Sequence, residues 1–303
     1  MKSILSFIVV AFLFLNTNYT IAQQTIEVIN KNVNISKGDQ PAYIVEIPQG
    51  DFDDVLSNWT KLIRQNTKEK VVQEGHEIQI TGTQINEIYP DPINIYSAII
   101  NSDSSLKLVA VFEIDSVFFN YEKNSTVENE KIHSQLQLFM KNFAVEEYEN
   151  AVEEELEAEE KKLKELNKDL DGLTKENENL HKSVKENEQD IKNSEDAIKS
   201  YELDNERKLG EINSKKEAIA SLSAQPELQD QAKDQLKDLE KEKKNISNKL
   251  EKEQKNIVKY QSNITEINRN IERNLELQEI KLQEINTQED IVQAVKLKLG
   301  GIR

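Results

Sequence analysis

Histidine titrates near neutrality and ligates metals readily, so His76, His133 and His181 are the first residues to weigh for chemistry. They lie far apart in sequence. None belongs to a His-Glu-x-x-His spacing, which sets two ligands one turn apart on a helix. Each reads as a solvated surface histidine. Asp51-Phe52-Asp53-Asp54 gathers three carboxylates, but it lacks the Asp-x-Asp-x-Asp-Gly order of a calcium loop. Its spacing suits a helix start, with Asp51 as cap and Asp53 and Asp54 in the positive first turn. Glu74 and Glu77 flank Gly75-His76, which reads as a turn rather than a metal site. There is no glycine-rich phosphate loop and no Gly-x-Ser-x-Gly elbow. The absence of cysteine excludes thiol nucleophiles, cysteine–zinc sites and iron–sulfur clusters. The residues therefore predict no catalytic group, no cofactor and no metal: a non-enzymatic protein.

The elements around these residues fall into two compositional halves. Thr25 to Phe143 carries 17 acidic and 10 basic residues and 11 of the 18 aromatics. Ala144 to Arg303 carries 39 acidic and 28 basic residues and is dominated by Glu, Lys, Leu, Ile, Asn and Gln, the make-up of long solvated helices. The formal net charge of −17 argues against nucleic acid, whose phosphates need a basic face, and against anionic lipid.

Residues 1–22 predict a signal peptide. Lys2 supplies the positive end, Ile4 to Leu15 is an apolar run too short for a comfortable bilayer span, and Thr20-Ile21-Ala22 precedes Gln23 as a small-residue cleavage pattern. The competing reading is an uncleaved anchor. With no cysteine after the cleavage site the chain is not a lipoprotein. No later segment is apolar enough to span a membrane. The expected location is periplasmic or extracellular.

Residues 23–125 predict a small α+β domain. Ile26 and Val28, then Val33 and Ile35, suggest a first strand with a break in it. Tyr43, Val45 and Ile47 alternate up to Pro48. Phe52, Val55, Leu56, Trp59, Leu62 and Ile63 then share one helical face. Strands return at Ile78–Gln84, Ile93–Asn101 and Leu106–Asp115, the last two joined by the turn cluster 101–105. Leu106, Leu108, Ala110, Phe112 and Ile114 share one side of the final strand. A curved antiparallel sheet with helices on one face is the simplest solution. The run Tyr43-Ile44-Val45-Glu46-Ile47-Pro48, the helix bearing Trp59 and the run Glu77-Ile78-Gln79-Ile80-Thr81-Gly82 resemble small exported bacterial domains of unknown function with a TBP-like fold. The resemblance covers residues 25–120. It implies that fold and brings no catalytic residue with it.

Asn124-Ser125-Thr126 predicts a helix start, with Glu128 and Glu130 in its first turn. Ile132, Leu136, Phe139, Met140 and Phe143 form a stripe for the sheet, making 126–150 a connecting helix that runs on without a breaker. Heptads follow. Residues 151–222 form a first coiled-coil arm, its a positions running from Leu163 in sevens to Ile219 and its d positions from Leu166 to Leu222. Residues 223–226 form the hairpin tip, where Pro226 suits the first turn of a new helix. Residues 227–303 form a second arm, with Leu236, Leu250, Ile257, Ile264, Ile271, Ile285 and Val292 in its stripe and Gly300-Gly301 at its end.

If the chain folds back at Pro226, residues whose numbers sum to 448 or 447 meet: Val184 with Ile264, Ile198 with Leu250, Leu180 with Ile267. Asn177 would then face Ile271, Asn205 would face Lys243 and Ser194 would face Glu253. Each arm is about 75 residues, roughly 110 Å of helix. Asparagine at an a position also fixes register in parallel dimers, so the rival is a parallel homodimer through residues 150–222. Gly172 and Gly210 fall at exposed positions and could mark bends.

The expected function is that of an exported cell-envelope structural or interaction protein. The hairpin would be a rigid spacer or docking arm for a protein partner, with Ile219, Leu222 and Leu228 as a docking surface at the tip and a homo-oligomer admissible. The alternatives are a periplasmic holdase with helical arms, or a ligand- or peptide-binding α+β domain.

Overall fold

The structure, a computed structural model, describes residues 25–103, 105–123 and 126–303. The expected signal peptide and the expected helix-start residues Asn124 and Ser125 lie outside the described residues. The elements are β1 (Val28–Ile35), β2 (Gly38–Pro48), α1 (Phe52–Arg64), β3 (Val72–Glu74), β4 (Glu77–Thr83), β5 (Ile93–Ser102), β6 (Ser105–Ile114), β7 (Val117–Phe118), α2 (Val127–Ser221) and α3 (Pro226–Gly300). They form two compact units. One holds the described residues up to Leu163 together with Thr287–Arg303; the other is Lys164–Asn286.

The first unit is built on an antiparallel sheet in the order β1-β2-β6-β5-β4-β3, with β7 on β6. Strand alternation sorts its side chains by face. Val45, Ile47, Ile78, Ile80, Ile95, Leu108 and Phe112 point into one core with Val55, Trp59 and Ile63 of α1, Leu136, Met140 and Phe143 of α2, and Val295 of α3. The helices thus cover one face. The opposite face carries a smaller cluster of Ala42, Tyr96, Val109 and Val111. Asp51 caps α1 as its spacing implies, its Oδ1 accepting from the amides of Asp53 at 2.9 Å and Asp54 at 3.2 Å. Thr126 caps α2 through the Asn129 amide at 3.2 Å. Trp59 is fully buried, and its indole N–H donates to Ser97 Oγ at 2.8 Å. Ser97 in turn donates to the Ile78 carbonyl at 3.2 Å, so this buried polar pair is satisfied.

The first unit differs from the sequence reading at both ends of the described chain. β1 is continuous, because β2 pairs with every residue from Val28 to Ile35. Asn30, Asn32 and Asn34 are exposed on this edge strand, so no apolar period marks it. The chain after α3 also folds back: Ile302 is buried in the core and the Ile26 amide donates to the Arg303 carbonyl at 3.4 Å.

In the second unit, α2 and α3 are two arms of an antiparallel hairpin. Every a and d residue from Leu166 to Leu222 is buried or half-buried, while most of the intervening positions are exposed. The cross-arm bonds rise on one arm as they fall on the other. Asn177 Nδ2 donates to Asn274 Oδ1 at 3.3 Å, Asn263 Nδ2 to Asn187 Oδ1 at 3.2 Å, and Ser194 Oγ to Glu253 Oε2 at 3.0 Å. Nearer the tip, Lys208 pairs with Glu242 at 2.8 Å, and Lys215 donates to Gln235 at 2.9 Å. The parallel homodimer is therefore not the arrangement of this seam. Ser194 meets Glu253 as the register requires. Asn177 was expected opposite Ile271, but its amide reaches one turn along to Asn274, because helical side chains lean toward their N-terminus. Gly172 and Gly210 are exposed within an unbroken helix.

Pro226 opens α3, where a missing N–H costs nothing. The Gln225 amide donates to the Leu222 carbonyl at 2.9 Å, which makes the turn between the arms.

Leu136→Ala removes a fully buried side chain between α2 and the sheet, and should cost about 2–5 kcal/mol. Trp59, the only tryptophan, sits in that core, so urea unfolding followed by its fluorescence reads this loss directly. Leu180→Cys with Ile267→Cys should oxidise to an intramolecular cross-link at low protein concentration. On denaturing gels, a fast-migrating monomer is the expected product and a covalent dimer of Leu180→Cys alone is not.

Candidate functional site

The three histidines do not converge. His76 and His181 are exposed. His133 departs from the expected solvated state. It lies half-buried on α2, its Nδ1 2.8 Å from the Tyr43 hydroxyl and its ring stacked on Tyr121 with centroids 4.3 Å apart. Burial pushes the imidazole pKa down and the Tyr43 phenol well above its ordinary value. A neutral histidine beside an un-ionised phenol is a packing contact that ties β2 to α2, not an activated nucleophile. Its signal in the sequence was position: His133 directly follows Ile132, the first residue of the sheet-packing stripe.

Two of the other carboxylates singled out by sequence, Asp51 and Glu77, are used internally. Asp51 caps α1. Gly75, with φ at 62°, makes the β3–β4 turn between Glu74 and Glu77. Glu77 accepts from the Ser36 amide at 2.9 Å, the Ser36 hydroxyl at 2.7 Å and Gln79 Nε2 at 2.7 Å. Among the described residues there is no group of three or more histidine, aspartate or glutamate side chains placed to hold a metal.

An acidic cleft of about 440 Å³ lies where the start of α1 meets α2, lined by Asp51, Asp54, Asn58, Glu147, Asn150 and Glu154 among others. Glu147 is its innermost group, 5% exposed, and accepts from Asn58 Nδ2 at 3.2 Å. Burial raises its pKa, the Asn58 bond opposes this, and the charges of Glu146 and Asp54 raise it further. The sequence reading does not single out Glu147. Its spacing of four from Phe143 and seven from Met140 would have placed it on the buried stripe.

A second groove, of about 650 Å³, is lined by Tyr89, Asp115, Ser116, Phe119, Lys123 and Glu128 among others. Asp115 and Ser116 turn β6 into β7 with φ of 51° and 66°, the left-handed pair that a two-residue hairpin demands. The Tyr89 hydroxyl donates to Asp115 Oδ2 at 2.6 Å, and that bond pushes its pKa up to about 12.

At the hairpin tip Ile219, Leu222 and Leu228 lie within ten residues of chain. Ile219 and Leu222 are half-buried and close the seam, while Leu228 is 50% exposed. The Ile219 carbonyl accepts from the Leu222 amide at 3.3 Å and from Gln229 Nε2 at 3.3 Å, so the tip is locked by its own polar groups. Polar residues recur along the seam, and most are paired. Asn205 is the exception: its Oδ1 is buried with no hydrogen-bond partner among the described residues.

No family model matches the chain, and no curated protein matches it. Among solved structures it is similar to a coiled-coil segment of Pyrococcus yayanosii Smc, at 21% identity and a TM-score of 0.32, over 56% of this chain and 79% of that one. It is also similar to CalU16 from Micromonospora echinospora, at 14% identity and a TM-score of 0.22, over 42% of this chain and 96% of that one. At those scores neither likeness bears on the fold, which stands on the pairing and burial described above.

Glu147 supplies a pH test. Its folded-state pKa is raised, so its burial penalty is fully present above that value and vanishes below the ordinary carboxylate value of 4.5. Glu147→Gln keeps the oxygen that accepts from Asn58. It should raise the melting temperature at pH 7, and the gain should fade as the pH falls toward 4.

Proposed function

We propose that the protein is a non-catalytic, exported interaction protein of the cell envelope. In this reading the α2–α3 hairpin serves as a stiff spacer or docking arm, and its tip engages a protein partner. The observation that carries the reading is the hairpin itself. It is a seam of shielded a and d residues, closed at the tip by a hydrogen-bonded turn, with Leu228 half exposed beside it. A helical pair of this kind resists bending and presents a defined end, which suits holding or reaching rather than turnover. No helix among the described residues is long and apolar enough to cross a membrane. Export rests on the N-terminal pattern of Lys2, Ile4–Leu15 and Thr20-Ile21-Ala22.

A second reading assigns binding to the sheet. Among the described residues β1 pairs only with β2, so its outer edge can take up an extended peptide as an added strand. The two readings are separated by photo-cross-linking in the source cells, with the probe at Leu228 in one variant and at Asn32 of β1 in another. The docking-arm reading expects a discrete adduct from position 228 that Leu222→Glu abolishes. An adduct from position 32 alone would transfer the role to the sheet. Mass analysis of the protein recovered from those cells should find Gln23 at its N-terminus; an intact Met1 would remove export.

A further inference from the structure

Between Ile271 and Ile285 the binary pattern of α3 is inverted. The positions facing the other arm are Asn274, Gln278 and Lys281. Asn274 accepts from Asn177, Gln278 Nε2 reaches the Leu173 carbonyl at 3.5 Å, and Lys281 lies 3.5 Å from Asp169. Meanwhile Leu275, Leu277, Ile280 and Leu282 are 52, 45, 52 and 48% exposed. The other large exposed apolar residues of this unit, Leu203, Leu209, Leu228 and Val258, are scattered singly. Scattered leucines need no explanation, but four in eight residues beside a polar seam do.

Helical geometry sorts the four. At 100° per residue, Leu275 and Leu282 fall on one flank of α3 and Leu277 and Ile280 on the other. The second flank continues to Arg273 and Glu284, giving Arg273-Leu277-Ile280-Glu284 at spacings of four, three and four. That is a heptad stripe on the outside of the hairpin, oily in the middle and oppositely charged at its two ends. All four residues are exposed. Arg273 has no ion-pair partner among the described residues, and Glu284 is held only by Lys281 of its own helix, at 2.8 Å.

We infer that this stripe is a self-association face, and that its occupant is the same stripe of a second copy of the chain running antiparallel to it. The stripe is complementary to itself in that direction alone. A two-fold axis between Gln278 and Glu279 sets Leu277 against Ile280 of the second copy and Arg273 against Glu284 of the second copy, each pair occurring twice. Parallel pairing would set arginine against arginine and glutamate against glutamate. The contact spans only twelve residues, under two heptads, of each chain, so the dimer is weak and concentration-dependent. The inference does not rest on the docking-arm reading, since the tip takes no part in it.

Sedimentation equilibrium of the purified protein tests it. The expected result is reversible dimerisation with a dissociation constant below about 1 mM, the value that corresponds to roughly −4 kcal/mol. Arg273→Glu alone and Glu284→Arg alone should each weaken it about tenfold, because each change acts twice across the two-fold. The double variant Arg273→Glu with Glu284→Arg should restore it. These positions are exposed, so helicity by circular dichroism should be unchanged and folding is not in question. Mixing Leu277→Cys protein with Ile280→Cys protein under mild oxidation should give mainly the mixed disulfide. A monomer up to about 1 mM, a dimer insensitive to both charge reversals, or a dominant Leu277→Cys homodisulfide would each overturn the inference.

Discussion

Neither long helix can stand on its own composition. The chain's mean hydropathy is −0.69, and α2 and α3 consist mostly of charged and amide side chains. Helical propensity alone leaves such segments marginal in water; what holds them is the burial of one narrow stripe against a partner. Here the partner is the other arm. The stripe is mixed, with leucine and isoleucine layers separated by Asn177, Asn187, Ser194 and Asn205, so the seam gives up apolar burial for pairings that fix which layer meets which. Asn205 shows what that costs when a pairing is missing, because a buried amide oxygen without a donor loses its solvation and gains nothing in return.

α2 does two jobs with one period. Its first turns bury Ile132, Leu136, Met140 and Phe143 on the sheet, and its later heptads bury the hairpin seam, with no proline to separate the two. The sheet core answers with aromatic contacts. Trp59 meets Phe143 at 5.0 Å and Phe139 at 5.7 Å between ring centroids, and Tyr43 meets Phe112 at 5.7 Å. Such contacts set the position of α2 on the strands more tightly than aliphatic area alone would. The polar groups that follow into the core are satisfied or nearly so: Ser97 by Trp59 and Ile78, Thr83 by the Ile63 carbonyl, Glu147 by Asn58.

What could be read from residues alone follows the strength of each period. The heptads of α2 were legible because leucine and isoleucine recur at seven-residue steps over many turns, and the same rule located Ser194 against Glu253. The Asp51 cap and the α1 stripe were legible because local geometry decides both. β1 was misread as broken because its pairing depends on β2 and not on its own side chains. His133 was misread because burial there comes from Tyr43 and Tyr121, which lie elsewhere in the chain. Glu147 was hidden by its charge, although its spacing from Met140 and Phe143 marked it. On α3 the a positions that escaped notice, Asn274, Lys281 and Gln288, are ones where the seam is polar. An apolar template cannot find them, and with them it missed the leucines displaced to the outside.

The return of the chain after α3 has a mechanical meaning. Ile26 and Arg303 share a backbone hydrogen bond, and Ile302 is sunk among the residues that hold Ile26 and Val295. A force drawing residues 26 and 303 apart would first have to peel open this clasp. Until it yields, residues 164–286 stay outside the load path, like a loop of rope beyond a knot. Whatever the hairpin meets, tension on the chain's described ends would reach the sheet unit before it reaches the seam.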